Sequence, residues 1–231
     1  MARRFQRPRF LNLGAYAPRP EATRARVPRL LVIVDVDTCN DNGVEPLAMV
    51  GLAVEAKAPA LLLRHKSASA DAMQALAAEA ARFCVADTCS LVISGDATVA
   101  LAVGASGVHL PAAKIDEARA ARSAGLLVGA SVHDHAELQR AIKAGADYVT
   151  FSPVFRSASK PDYGPPAGLD GLASIVRAAG EVRVLALGGV TVDRVQGARA
   201  AGAWGVAAMG PFCQHGVGRA VADYRRALKT A

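Results

Sequence analysis

An alternation constrains this chain more than any other feature: eight short apolar runs, each followed by a segment whose apolar residues recur at helical spacing. The first run, residues 30–36 (LLVIVDV), is rich in β-branched side chains and has no helical period, as a strand buried on both faces requires. Strands are expected at 30–36, 60–64, 91–94, 107–110, 126–131, 148–151, 183–187 and 205–209. Helices are expected at 44–57, 71–86, 98–103, 116–124, 134–144, 169–179, 192–200 and 218–228. An internal echo supports the count. Around Gly104, Gly145 and Gly202 the chain passes from an alanine-rich helix end through glycine into an apolar strand, and glycine suits a left-handed helix terminus. Strands and helices alternating in this number predict one closed (β/α)8 TIM barrel over residues 30–231. An open doubly wound sheet would more often carry G-x-G-x-x-G after its first strand, and none is present.

The net charge of +7 is local. Residues 1–29 hold eight arginines against the single acid Glu21, which is the whole excess; the other 19 basic and 19 acidic residues cancel. The barrel therefore has no overall field for a polyanion, and no specific nucleic-acid partner is expected. Four prolines interrupt the basic segment, so it reads as an N-terminal extension, with a targeting role and nonspecific anion binding as alternatives. No apolar run reaches the ~18 residues that a membrane span needs, so no membrane partner is expected. Cys39, Cys84, Cys89 and Cys213 form no C-x-x-C pair and have no histidine at ligand spacing, which argues against a metal site and for thiols in a reducing cytoplasm.

Barrels of this class keep their chemistry at the rim formed by the C-terminal ends of the strands. Ser131 and His133 follow the fifth strand, and Ser157, Ser159 and Lys160 follow the sixth. Gly188 and Gly189 end the seventh and Met209 and Gly210 the eighth, the usual place for a phosphate, where residues without side chains let backbone N–H groups approach an anion. Arg64 and Lys66, alternating after the second strand, suit a phosphate or carboxylate. Each has a plainer reading: a tight turn for the glycines, surface charge for the cations, a helix cap for His133. His109, on the fourth strand, reads as barrel packing.

The motifs GASGVHL, GASVHDH, GADYVTFSPVF followed by S-x-S-K, and ALGGV, in this order, resemble the TenI and thiamine-phosphate synthase superfamily of thiamine biosynthesis. The resemblance covers residues 30–228 and implies the same barrel. Within it, the synthases carry Gln-x-Arg-x-Lys on strand two, Asn-Asp-Arg after strand three and Gly-Gln-x-Asp after strand four. Here the glutamine position is Leu62, although Arg64 and Lys66 remain. The two aspartates that would hold Mg²⁺ fall on Gly95 and Lys114, with Asp96, one residue late, as a candidate substitute. The resemblance also makes Ser157, Ser159 and Lys160 the counterpart of a Thr-x-Thr-Lys loop that grips phosphate. Ser131-Val132-His133 matches the TenI turn whose histidine serves in tautomerising a thiazole phosphate carboxylate, a proton transfer that needs no metal.

The reading that follows is a cytoplasmic, metal-independent thiazole tautomerase without cofactor. In it His133 moves the proton, while Arg64, Lys66, Ser131, Ser157, Ser159, Lys160, Gly188, Gly189, Met209 and Gly210 bind the substrate. Its partner is a small phosphorylated thiazole or thiamine precursor; homo-oligomerisation is left open. The alternatives are a Mg²⁺-dependent thiamine-phosphate synthase, which joins a pyrimidine pyrophosphate to thiazole phosphate, and a non-catalytic binder of a phosphorylated precursor.

Overall fold

The computed structural model describes residues 26–84, 88–157, 165–214 and 216–230. Eight parallel strands close on themselves in chain order: β1 Leu30–Asp35, β2 Ala60–Arg64, β3 Ser90–Ser94, β4 Gly107–Leu110, β5 Leu127–Val132, β6 Tyr148–Phe151, β7 Arg183–Ala186 and β8 Gly205–Ala208. The ring shuts where β8 pairs with β1, Val206 opposite Leu30 and Ala208 opposite Val32. The helices lie outside: α1 Val36–Asp41, α2 Pro46–Glu55, α3 Ala70–Ala81, α4 Ala97–Ala102, α5 Ala118–Ser123, α6 His135–Ala144, α7 Gly168–Ala179, α8 Val195–Ala200 and α9 Val217–Thr230. This is the TIM barrel that the alternation predicts.

Two apolar clusters follow from the period-two geometry of the strands. Leu31, Ile33, Leu62, Leu127, Tyr148 and Leu185 belong to the cluster that fills the barrel, while Val32, Val34, Leu61 and Leu63 pack with the helices in the other. The echo glycines stand at positive φ, +65° at Gly104, +85° at Gly145 and +92° at Gly202, so each ends its helix as expected. Asp35 departs from expectation. Its carboxylate accepts from the Thr38 N–H and caps α1, which ends β1 at Asp35 where the apolar run suggested a strand through Val36.

The barrel's own contacts begin ahead of the first apolar run. Val27 packs against the inner cluster, its carbonyl accepts from the Trp204 indole N–H at 3.2 Å, and the Arg29 carbonyl accepts from Val206 N–H at 2.8 Å. Residues 27–29 thus belong to the barrel floor. Among the described residues no helix is long and apolar enough to cross a membrane.

Candidate active site at the C-terminal rim

After β7 the chain turns at Gly188 and Gly189 directly against the loop that leaves β6. A Cβ at Gly188 would lie 2.8 Å from the Pro153 Cα, and one at Gly189 would lie 2.3 Å from the Arg156 carbonyl oxygen, so only glycine fits. The Gly188 carbonyl accepts from Phe155 N–H at 2.9 Å, and the Gly189 carbonyl accepts from the Arg194 guanidinium at 2.7 Å. Gly210 opens a 3₁₀ turn, Gly210–Phe212, after the half-buried Met209. Among the described residues the N–H groups of Gly188, Gly189 and Gly210 donate to no protein acceptor. Strands seven and eight therefore end in backbone donors suited to an anion.

Arg64 meets an anion that belongs to the protein itself. Its guanidinium donates to Asp35 Oδ2 at 2.5 Å, with the Asp35 side chain 5% exposed. Burial raises the Asp35 pKa, but hydrogen bonds from the Thr38 hydroxyl and N–H and from Arg64 outweigh it and hold the carboxyl below its ordinary value. Lys66 lies beyond the end of β2, where its N–H donates to Asp37 at 3.1 Å, and its side chain is exposed. Arg64 is thus neutralised by Asp35, while Lys66 faces solvent beyond the strand.

His133 is exposed at the end of β5, and its Nδ1–H donates to the Ser152 carbonyl at 2.8 Å across the gap to the β6 loop. That bond selects one tautomer of a neutral ring. Its backbone is held as well: the Asp134 carboxylate caps α6 by accepting from Glu137 N–H, and the Glu137 carboxylate accepts from His133 N–H at 2.7 Å. Ser131 sits one pleat deeper, with its hydroxyl 3.0 Å from His109 Nε2 inside the barrel. Ser157 lies in the described part of the β6 loop; Ser159 and Lys160 lie outside the described residues.

Across the rim, Gly95 follows β3 at φ +81°, with its N–H on the His109 carbonyl at 2.8 Å. The Lys114 ammonium donates to the Gly95 carbonyl at 3.0 Å and ties the loops after β3 and β4 together. Asp96 is the N-cap of α4, accepting from Thr98 N–H at 2.8 Å and Val99 N–H at 3.1 Å.

Comparison with known proteins places this geometry. A sequence model of the family described as thiamine monophosphate synthase matches residues 30–212. The chain belongs to this family. A thiamine-phosphate synthase of Methanoregula boonei is 37% identical over 88% of this chain and 95% of its own length. One from Anaeromyxobacter dehalogenans is 37% identical over 78% of each chain. The solved thiamine phosphate pyrophosphorylase of Pyrococcus furiosus superposes with a TM-score of 0.74 at 26% identity, covering 87% of this chain and 96% of that one. The protein is thus a member of the TenI/thiamine-phosphate synthase superfamily of thiamine biosynthesis.

The synthase alternative implies Mg²⁺, and the residues at the two expected ligand positions do not fit it. Gly95 has no side chain and holds a left-handed turn that an aspartate adopts only with strain. Lys114 brings a cation to the second position. Asp96 uses its Oδ1 to accept from the two N–H groups that open α4. Mg²⁺ is held through one or two carboxylates together with substrate phosphates, and neither of the two expected positions supplies a carboxylate here.

A buried polar group beneath the rim is legible in the sequence only in part. His109 Nδ1 lies 3.2 Å from the Tyr148 hydroxyl, and Nε2 lies within 3.2 Å of both the Ser131 and Thr150 hydroxyls. Burial, with a smaller push from the Arg64 charge, lowers the His109 pKa to about 3, so the ring is neutral. Gly129 on β5 makes the space: a Cβ there would lie 2.2 Å from the Tyr148 ring and 2.4 Å from His109 Nδ1. A glycine inside an otherwise apolar strand was the available signal.

Proposed function

We propose that the protein is a transferase of the thiamine-phosphate synthase type, which joins a pyrimidine pyrophosphate to a thiazole phosphate and expels pyrophosphate. The reading is carried by the 37% identity to a named synthase across 95% of that enzyme. The unengaged N–H groups of Gly188, Gly189 and Gly210 suit the thiazole phosphate. Pyrophosphate leaves with the electron pair of the broken bond, so positive charge at the rim must stabilise it. This chain offers Lys114, anchored on the Gly95 carbonyl, and Lys66 in the β2 loop. Arg64 is committed to Asp35 and orients that side of the mouth.

The test is pyrophosphate release by the purified full chain from the two substrates, with and without a chelator. The expected result is turnover that survives chelation and falls at least tenfold in Lys114→Ala. Absence of product under every metal condition would overturn the reading. His133 favours a second reading, tautomerisation of a thiazole phosphate carboxylate, because its ring is oriented by the Ser152 carbonyl at the rim. That reading expects isomerisation that disappears in His133→Ala. If neither reaction runs while thiazole phosphate still raises the melting temperature, the protein acts as a binder.

A further inference from the structure

At the opposite end of the barrel, two guanidinium groups lie over one indole and a third stands beside them. The Arg183 guanidinium, at the start of β7, lies 4.3 Å from the Trp204 ring centroid, and that of Arg29, just before β1, lies 4.6 Å from it. Arg199, near the end of α8, donates to the Ala203 carbonyl beside them. Its Nε is buried with no hydrogen-bond partner. Burial, and then the charge of Arg29, lower the pKa of Arg199. Among the described residues none of the three makes an ion pair with a carboxylate, although Arg64, Arg82, Arg122 and Arg140 do.

Like charges held together on a partly dry indole repel, and stacking on the ring compensates by only ~0.5–2 kcal/mol per cation. A multivalent anion would relieve the repulsion. Guanidinium forks match phosphate oxygens two at a time, so the forks of Arg29 and Arg183, backed by the charge of Arg199, suit more than one phosphate. We propose that Arg29, Arg183 and Arg199 form a second anion site on the barrel floor, distinct from the rim, that binds a small ligand carrying two or more phosphate groups.

Trp204 is the sole tryptophan of the chain and therefore reports on this floor alone. Full-length protein is titrated with inorganic pyrophosphate at matched ionic strength, following Trp204 emission, with sulfate as the comparison anion. The expected result is a saturable change in emission that sulfate does not reproduce and that shifts to at least tenfold higher pyrophosphate in Arg29→Gln/Arg183→Gln. Calorimetry should count one fewer pyrophosphate per chain in the double variant, while its rim reaction and cooperative unfolding match the parent. Unmoved emission, an equal response to sulfate, or an unchanged titration in the double variant would overturn the site. These outcomes do not depend on which reaction the rim performs.

Discussion

At the residue scale, the barrel interior tolerates His109 only because Gly129 leaves space for the imidazole and the Tyr148 ring. Gly129→Ala should destabilise the fold by at least about 2 kcal/mol, read as a lower urea midpoint, since neither ring has room to move. His109 also sets a pH dependence. Its pKa is about 3 in the folded protein, against an ordinary value of 6.5. As pH falls below 6.5, the unfolded chain takes up a proton that the folded chain refuses. Stability therefore drops with falling pH, by up to about 1.4 kcal/mol per pH unit, until the folded pKa is reached. Urea midpoints from pH 7 to pH 4 should fall more steeply in the parent than in His109→Gln; parallel curves would show that the imidazole is not held neutral. The sequence showed a histidine on the fourth strand and suggested packing. It did not show that Tyr148, Ser131 and Thr150 surround it, because those partners come from neighbouring strands whose register only the closed ring sets.

At the element scale, helix starts followed local chemistry that the sequence displays. Asp96 and Asp134 cap α4 and α6 through their own carboxylates. Asp35 does the same for α1, an element the sequence reading missed because its residues, VDTCND, show only Val36 and Cys39 as apolar positions. The cap assigned to Asp96 separates two roles. Asp96→Asn should keep the stability of the parent, since asparagine caps as well, whereas Asp96→Ala should lose about 1 kcal/mol in urea unfolding. An Asp96→Asn variant with normal stability but abolished, previously magnesium-dependent turnover would make Asp96 a ligand after all. That Gly188, Gly189 and Gly210 follow the last two strands was legible in the sequence. The tight fit of Gly188 and Gly189 against residues 153–156 was not, because it depends on how far the β6 loop leans over the mouth.

At the scale of the whole molecule, eight β/α repeats were enough to predict a closed barrel, because neither the strands nor the helices can bury their apolar faces alone. The family assignment was also legible, from motifs that map onto consecutive strand ends. The boundary of the domain was less so: Val27 and Arg29 carry few apolar cues, yet they complete the floor under Trp204. A chain beginning at Arg26 is the reference for the test in urea unfolding. A chain beginning at Leu30 should lose about 1–3 kcal/mol, since Val27 and the indole bond go with the deleted residues. Equal stability of the two truncations would place residues 26–29 outside the cooperative unit.

The bond between Lys114 and Gly95 also bears on descent. A mutation to aspartate at Lys114 alone would leave the Gly95 carbonyl without its donor, and one at Gly95 alone would set a carboxylate beside an ammonium and yield an ion pair. Neither single step creates a place for a divalent ion, and the left-handed turn penalises the second of them. Exchanging the tethered ammonium for a pair of carboxylates therefore takes substitution of both positions together.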